Sequence, residues 1–468
     1  MRARDAVRLL FAGLVVASAF VVATGYLSAS AAQSTDGRPT FDAEPRDGIT
    51  VVATDSNTWL GESGDGPRAR AELVAFAPNG SVMYYDDSHT RYWDVDPVKG
   101  TKTTVLSVVA DHLNKSECHS TTVCTRNTVR EVNLTTGETE VLYSRVTPRK
   151  HSTRWHDVDR LDNGNLVVAD IARDRVYVLN TTNQLVEWEW DAQRDFPLSG
   201  GGPYPHDWTH VNDVEVLEDG TIMASLRNQD QVVFLDRETG LVENRTLGSE
   251  NQRNIIYEQH NPDYINESNG GPAVLVADSE NNRVVEYQRE GDNWTRSWKW
   301  HDARMQWPRD ADRLPNGNTL IADSNGNRIF EINEQGNVVW SVDVAFPYEV
   351  ERLNTGDEST GGPAAAESGL QSKSGGSSGG NGEGSANGTA ASSSNRGVLD
   401  KVWVFVKGAL PGRTANGLMY VTPVWMGGPE VLAVAWALLA VLVWIGAELY
   451  WSPWTATVHK PLSISKRR

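Results

Sequence analysis

Ten histidines are spread thinly along 468 residues, and three of them stand in repeating or amide-rich surroundings. The stretch WHDVDRLDNGNLVVAD, Trp155 to Asp170, returns 153 positions later as PRDADRLPNGNTLIAD, with Arg309 where His156 stood. A third copy, VNDVEVLEDGT, puts Asn212 at that place, and His210 precedes it by two, on the same face of an alternating strand. His260 falls near the middle of the gap between Asn212 and Arg309. Neutral imidazole is a nucleophile or base near pH 7, and guanidinium forks match the oxygens of sulfate or phosphate. A second departure from the repeat agrees. Asp170 with Arg175, Asp278 with Arg283 and Asp323 with Arg328 share an AD-x4-R spacing suited to a hairpin ion pair, whereas SLRNQDQ leaves Arg227 without its aspartate and in need of an anion. No cluster of carboxylates is expected with these residues, which sets aside hard divalent cations. Zinc would need histidines converging without a local spacing motif, so no metal is expected. The competing structural role for each residue is to cap a strand end.

The elements that carry these residues repeat. Each unit reads as an apolar strand, a turn such as DNGN, EDGT or PNGN, a second strand, a polar hairpin and a third strand, the pattern of antiparallel hairpins. The spacing is close to 50 residues, so residues 45–352 hold about six units. An all-β, six-bladed β-propeller follows, because short antiparallel blades in a ring bury their faces on each other. One position per blade then points at the central channel, and His156, Asn212 and Arg309 share that ring, with His260 joining it.

The rest of the chain is built for a membrane. Residues 1–32 read as a signal peptide or membrane anchor, with a basic start and an apolar run from Leu9 to Leu27. Residues 429–451 read as a transmembrane helix, followed by a basic tail at 452–468. Basic ends on both segments place the intervening residues outside the cell. Eight Asn-x-Ser/Thr acceptors, at Asn79, Asn114, Asn133, Asn180, Asn244, Asn266, Asn293 and Asn387, fall between the two segments. Cys118 and Cys124 are expected to pair there, closing a small polar loop. Residues 355–397, rich in Gly, Ser, Ala and Asn, read as a flexible linker, with a juxtamembrane segment at 398–428. The net charge of −18, with ten lysines among 43 basic residues, excludes nucleic acid as a partner and suits a high-salt medium.

At WHDVDRLDNGN, THVND, ASLRNQDQV and YEQH the chain resembles the PAPS-independent arylsulfate sulfotransferases, six-bladed propellers acting on the outer side of the cytoplasmic membrane. The resemblance covers about residues 60 to 350. It implies sulfuryl transfer from an aryl sulfate to a phenol with ping-pong kinetics and no cofactor. His260 would be the nucleophile, with His156, His210, Asn212 and Arg227 around the sulfuryl group and Arg309 as a further substrate-binding residue. The anchored C-terminus departs from the soluble form of that family. Two other readings are a non-catalytic extracellular propeller binding glycan or protein partners, and a calcium-dependent propeller lactonase, which the expected carboxylate-poor lining disfavours.

Overall fold

The structure, a computed structural model, describes residues 3–31, 39–55, 71–374, 398–452, 454–457 and 463–466. They divide into two compact units, one of residues 41–390 with 410–424, the other of the two termini with residues 391–409. The first unit is a six-bladed propeller of antiparallel sheets. Blade 1 begins with the inner strand Arg91–Pro97, blade 2 with Trp155–Arg160, blade 3 with Val211–Val216, blade 4 with His260–Ile265 and blade 5 with Pro308–Arg313. Blade 6 is a composite. Its inner strand, Pro347–Leu353, pairs with Ile49–Thr54, so the N-terminal strands supply its outer part and close the ring.

Local sequence explains the hairpins. Asn163-Gly164 and Asp219-Gly220 place glycine at φ +82° and +81°, a region that a side chain rarely enters. The expected hairpin ion pairs form: Arg175 to Asp170 at 3.0 Å, Arg283 to Asp278 at 2.5 Å and Arg328 to Asp323 at 2.9 Å. Six buried apolar clusters fill the space between blades, one for each interface. The cluster of Val167, Val176, Trp190, Val214 and Val233 lies between blades 2 and 3, and that of Met223, Phe234, Val274 and Val285 between blades 3 and 4.

The inner strands add a polar ring. In five of the six blades the inner strand carries a carboxylate whose oxygen accepts a backbone N–H from a neighbouring inner strand, whereas Asp263 of blade 4 accepts from the Ser359 hydroxyl. Glu349 accepts from Val95 at 3.1 Å, Asp94 from Val158 at 3.2 Å, Asp159 from Val216 at 2.5 Å, Glu215 from Tyr264 at 2.7 Å and Asp310 from Val350 at 2.8 Å. Asp157 accepts from Val214 in the same way. The carboxylates recur two residues apart, at 94 and 96, 157 and 159, 213 and 215, 310 and 312, and 349 and 351, with Asp263 in blade 4. The expectation of a carboxylate-poor channel is therefore corrected. In a narrow ring the polar face of each inner strand meets its counterparts, and Asp94, Asp213, Asp263 and Asp312 are all buried.

The chain does not leave the propeller at Leu353. The Ser359 hydroxyl reaches Asp263, Ala365 N donates to Glu286 and Lys373 bridges Trp300, so the expected linker from Thr355 holds a packed segment through Lys373. Residues 375–397, Asn387 included, lie outside the described residues. Cys118 and Cys124 are disulfide-bonded, with Cα atoms 5.9 Å apart. In the second unit, helices Ala3–Ala31 and Gly428–Trp451 are each long and apolar enough to cross a membrane, and Arg8 of the first pairs with Glu448 of the second at 2.6 Å.

Removing one carboxylate of the ring orphans a buried N–H. Asp157→Ala is expected to destabilise the propeller by about 1–3 kcal/mol, whereas Asp157→Asn, which keeps an acceptor, costs much less. Urea unfolding of both variants checks this.

Candidate active site

The mouth of the channel is built where chain segments enter the inner strands. Hairpin residues hold these entries. Asp174 Oδ1 accepts from Thr209 N at 2.8 Å, Asp230 Oδ1 from Glu258 N at 3.0 Å, Asn282 Oδ1 from Trp307 N at 2.7 Å and Asn327 Oδ1 from Phe346 N at 3.2 Å. The held segments pass through left-handed backbone at His210, Glu258, Trp307 and Phe346, with φ of 49°, 43°, 60° and 51°. Non-glycine residues tolerate such angles only where the surroundings enforce them. Just inside the entries, pairing is interrupted between Tyr92 and Asp94, Trp155 and Val158, Val211 and Asp213, His260 and Pro262, and Pro308 and Asp310. Such bulges re-aim side chains.

Trp93, His156, Asn212, Asn261 and Arg309 occupy these irregularities, with Tyr348 the corresponding residue of blade 6. The ring member in blade 4 is thus Asn261. His260 precedes it by one, at the place of Val211 and Pro308, because the sequence spacing of that blade is interrupted.

His260 is nevertheless drawn into the same site. Its ring lies 5.9 Å from Tyr348 and 6.2 Å from Trp307. Its Nδ1 is 2.9 Å from Ser279 Oγ, and that hydroxyl donates its only proton to Pro308 O at 2.7 Å. Ser279 must therefore accept from His260 Nδ1–H, which leaves the lone pair on Nε2. Nε2 is buried with no hydrogen-bond partner among the described residues, and His260 packs against the residues that line the cavity at the mouth without being one of them. Burial, then the charges of Arg309 and Arg227, hold the imidazole well below its usual pKa, so it stays neutral.

A cavity of about 340 Å³ opens at the mouth, lined by Trp93, Arg154, His156, His210, Arg227, Trp307, Arg309 and Tyr420 among others. His156 stacks on Trp93 at 4.0 Å, meets the Tyr348 hydroxyl through Nδ1 at 3.0 Å and lies 5.1 Å from the His210 ring. Burial, then the neighbouring His210 and Arg154, keep it neutral too. His210 Nδ1 donates to Asp207 at 2.5 Å, and Arg227 Nη1 lies 3.3 Å from its Nε2. Burial of Asp207 opposes ionisation, but His210 and Arg227 outweigh it and hold its carboxyl below the usual range. Arg227 therefore has a carboxylate in reach, 3.8 Å from Asp207, supplied by the loop before the strand rather than by the lost hairpin aspartate. Arg309 lies over Trp307 at 4.2 Å and 3.8 Å from Asp55. Asn212 is fully buried and off the cavity wall, and its amide donates to Gln259 O at 3.1 Å, one residue before His260.

Four contributors were not singled out from sequence. Arg154 stands two residues before His156, as His210 does before Asn212, and that spacing was the available signal. Trp93 and Tyr348 align with His156 through YWDVD and PYEVE. The helix Gly412–Tyr420 carried no signal. It lies over the mouth, with Arg413 paired to Glu258 at 2.6 Å, Asn416 donating to Glu280 at 3.0 Å and Tyr420 against Trp307 at 5.4 Å.

The family model for arylsulfotransferase (ASST) matches residues 67–301, half of the chain. No curated protein matches it. Among solved structures, it is similar to a protein of unknown function from Bacteroides caccae, at 10% identity and a TM-score of 0.43, over 66% of this chain and 100% of that one. It is also similar to the periplasmic gluconolactonase of Pseudomonas aeruginosa, at 13% identity and a TM-score of 0.41, over 66% and 100%. An inactive virginiamycin B lyase from Staphylococcus aureus, solved with quinupristin, matches at 6% identity and a TM-score of 0.38, over 69% and 92%. At these scores the likenesses carry no argument.

Because Arg413 and Tyr420 seat the helix over the cavity, the double variant Arg413→Ala/Tyr420→Ala should expose the histidines beneath it. Diethyl pyrocarbonate is expected to modify His156 and His210 several-fold faster than in the wild type, read by peptide mass mapping.

Proposed function

Since the chain belongs to the arylsulfotransferase (ASST) family, we propose that it moves a sulfuryl group from an aryl sulfate to a phenol through a covalent intermediate on His260. One observation supports this most directly: the His260–Ser279–Pro308 hydrogen-bond chain leaves a buried, unprotonated Nε2 beside two arginines. Nε2 attacks sulfur, an N–S bond forms and the S–O bond to the aryl group breaks. The aryl oxygen leaves as phenolate, its charge met by Arg227 beside the imidazoles of His210 and His156, and takes a proton from solvent on release. Positive charge that develops on the imidazole is met at Nδ1–H by Ser279. A phenol then attacks sulfur, the N–S bond breaks and the phenol proton leaves through the same imidazoles.

Arg227 and Arg309 meet the sulfuryl oxygens, where fixed donors favour charge that builds in the transition state. Asn212 acts as a positioning residue, holding the chain at Gln259. Trp93, Trp307 and Tyr420 offer aromatic surfaces for the aryl ring. The propeller is placed on the outer side of the cell membrane, anchored by the C-terminal helix, which the basic ends of both apolar segments support. Protease added to intact cells would then release it by cutting within residues 375–397, and cleavage that required broken cells would contradict the placement.

The test is turnover of 4-nitrophenyl sulfate with a phenol acceptor. Parallel double-reciprocal lines are expected, with activity lost in His260→Ala and reduced about 10²–10³-fold in Arg227→Ala. Intersecting lines, or an active His260→Ala protein, would contradict the covalent route. The depressed imidazoles give a sign for pH. His260 is already neutral below its usual pKa of about 6.5, so kcat/KM should show no acid limb near that pH. A limb centred there, in an assay from pH 5 to 9, would count against this nucleophile.

A further inference from the structure

The inner-strand carboxylates converge into two groups. Oxygens of Asp94, Asp96 and Glu349 lie within 4.8 Å of one another, and so do those of Asp263, Asp310 and Asp312. All six residues are less than a tenth exposed. Backbone N–H groups engage one oxygen each of Asp94, Glu349 and Asp310, and the Ser359 hydroxyl engages one of Asp263. Asp94 and Glu349 also hydrogen-bond to each other, which requires a proton on one of them, while Asp96 Oδ2, Asp263 Oδ1 and Asp312 Oδ2 are buried with no hydrogen-bond partner among the described residues. A neutral oxygen stands with them. Asn261 donates its amide N–H to Glu349 at 3.3 Å while its own Oδ1, also buried, has no partner. Two arginines reach the second group electrostatically, Arg313 at Asp263 and Arg352 at Asp312, but each is ion-paired with another carboxylate, Arg313 with Glu286 at 3.2 Å and Arg352 with Glu331 at 3.3 Å.

We propose that these two carboxylate groups bind hard divalent cations, calcium by preference, inside the propeller channel. Ligand oxygens about 2.3–2.6 Å from one ion stand at most about 5 Å apart, which both groups satisfy, and each offers oxygen alone. Nitrogen- and sulfur-seeking metals find no ligand of their own there. A buried carboxylate without a counter-charge must be neutralised by a proton or a cation. The cations would tie together inner strands of blades 1 and 6 and of blades 4 and 5, one residue along the strands from Trp93, Tyr348 and Arg309 of the mouth. The proposal does not rest on sulfuryl transfer.

Full-length protein in detergent, dialysed against EDTA and then against buffer, is titrated with calcium chloride in a calorimeter and melted from pH 5 to pH 8. Calcium is expected to raise the Tm of the full-length protein at pH 8. Two ions per chain are expected, falling to one in Asp96→Asn or Asp312→Asn with the fold retained by circular dichroism. No binding heat and identical melts with calcium or EDTA at pH 8 in the wild type would overturn the proposal. An equal gain in Tm from magnesium alone would overturn the preference for calcium.

Discussion

The hydrogen bond from a backbone N–H of one inner strand to a carboxylate of its neighbour governs this propeller. Glu349 to Val95 joins blades 6 and 1, Asp94 to Val158 joins 1 and 2, Asp159 to Val216 joins 2 and 3, Glu215 to Tyr264 joins 3 and 4, and Asp310 to Val350 joins 5 and 6. Apolar contact between blades supplies attraction without direction. These bonds supply register, because each fixes one strand lengthwise against the next. They also set an electrostatic cost. A channel lined with acceptors for backbone hydrogen atoms is a channel of buried acids, and their charge must be met by protons or cations.

Register in turn aligns the mouth. In blades 1, 3 and 5 the bulge opens one residue before the first carboxylate of the inner strand, so Trp93, Asn212 and Arg309 stand directly before Asp94, Asp213 and Asp310. Blade-to-blade contact sets chemistry as well as position. Ser279 of blade 4 gives its proton to Pro308 of blade 5, and that choice fixes the tautomer of His260. Arginines from blades 3 and 5 then keep the imidazole neutral. The mouth sets four arginines, Arg154, Arg227, Arg309 and Arg413, against three carboxylates, Asp55, Glu258 and Glu280, whereas the channel below it presents acids, so an anion fits better at the first than deeper in.

Much of this was legible. The Asn-Gly and Asp-Gly turns announced hairpins, the 50-residue spacing announced six blades, and the AD-x4-R pairs form as spaced. His156 and Arg309 reach the cavity through equivalent strand positions. Other features were hidden for physical reasons. The alternating acids in DVD, DVE and DAD were visible, but only closure of the ring turns those faces on one another. Blade 6 has its inner strand at one end of the repeat region and its outer strands at the other, so PYEVER had no neighbouring hairpin to reveal it. The one-residue difference between His260 and Asn261 depends on a bulge that spacing does not encode. The helix Gly412–Tyr420 returns to the mouth from beyond a Gly/Ser-rich stretch, and nothing local to it signals that partner.

The most direct measurement of the covalent account is mass mapping of the protein after brief exposure to 4-nitrophenyl sulfate with no acceptor. The account predicts one acid-labile sulfuryl group per chain, carried by the peptide that contains His260 and removed when phenol is added. A protein that releases 4-nitrophenol to phenol acceptors while this peptide stays unmodified, or a stable adduct on His156 or His210 alone, would contradict it.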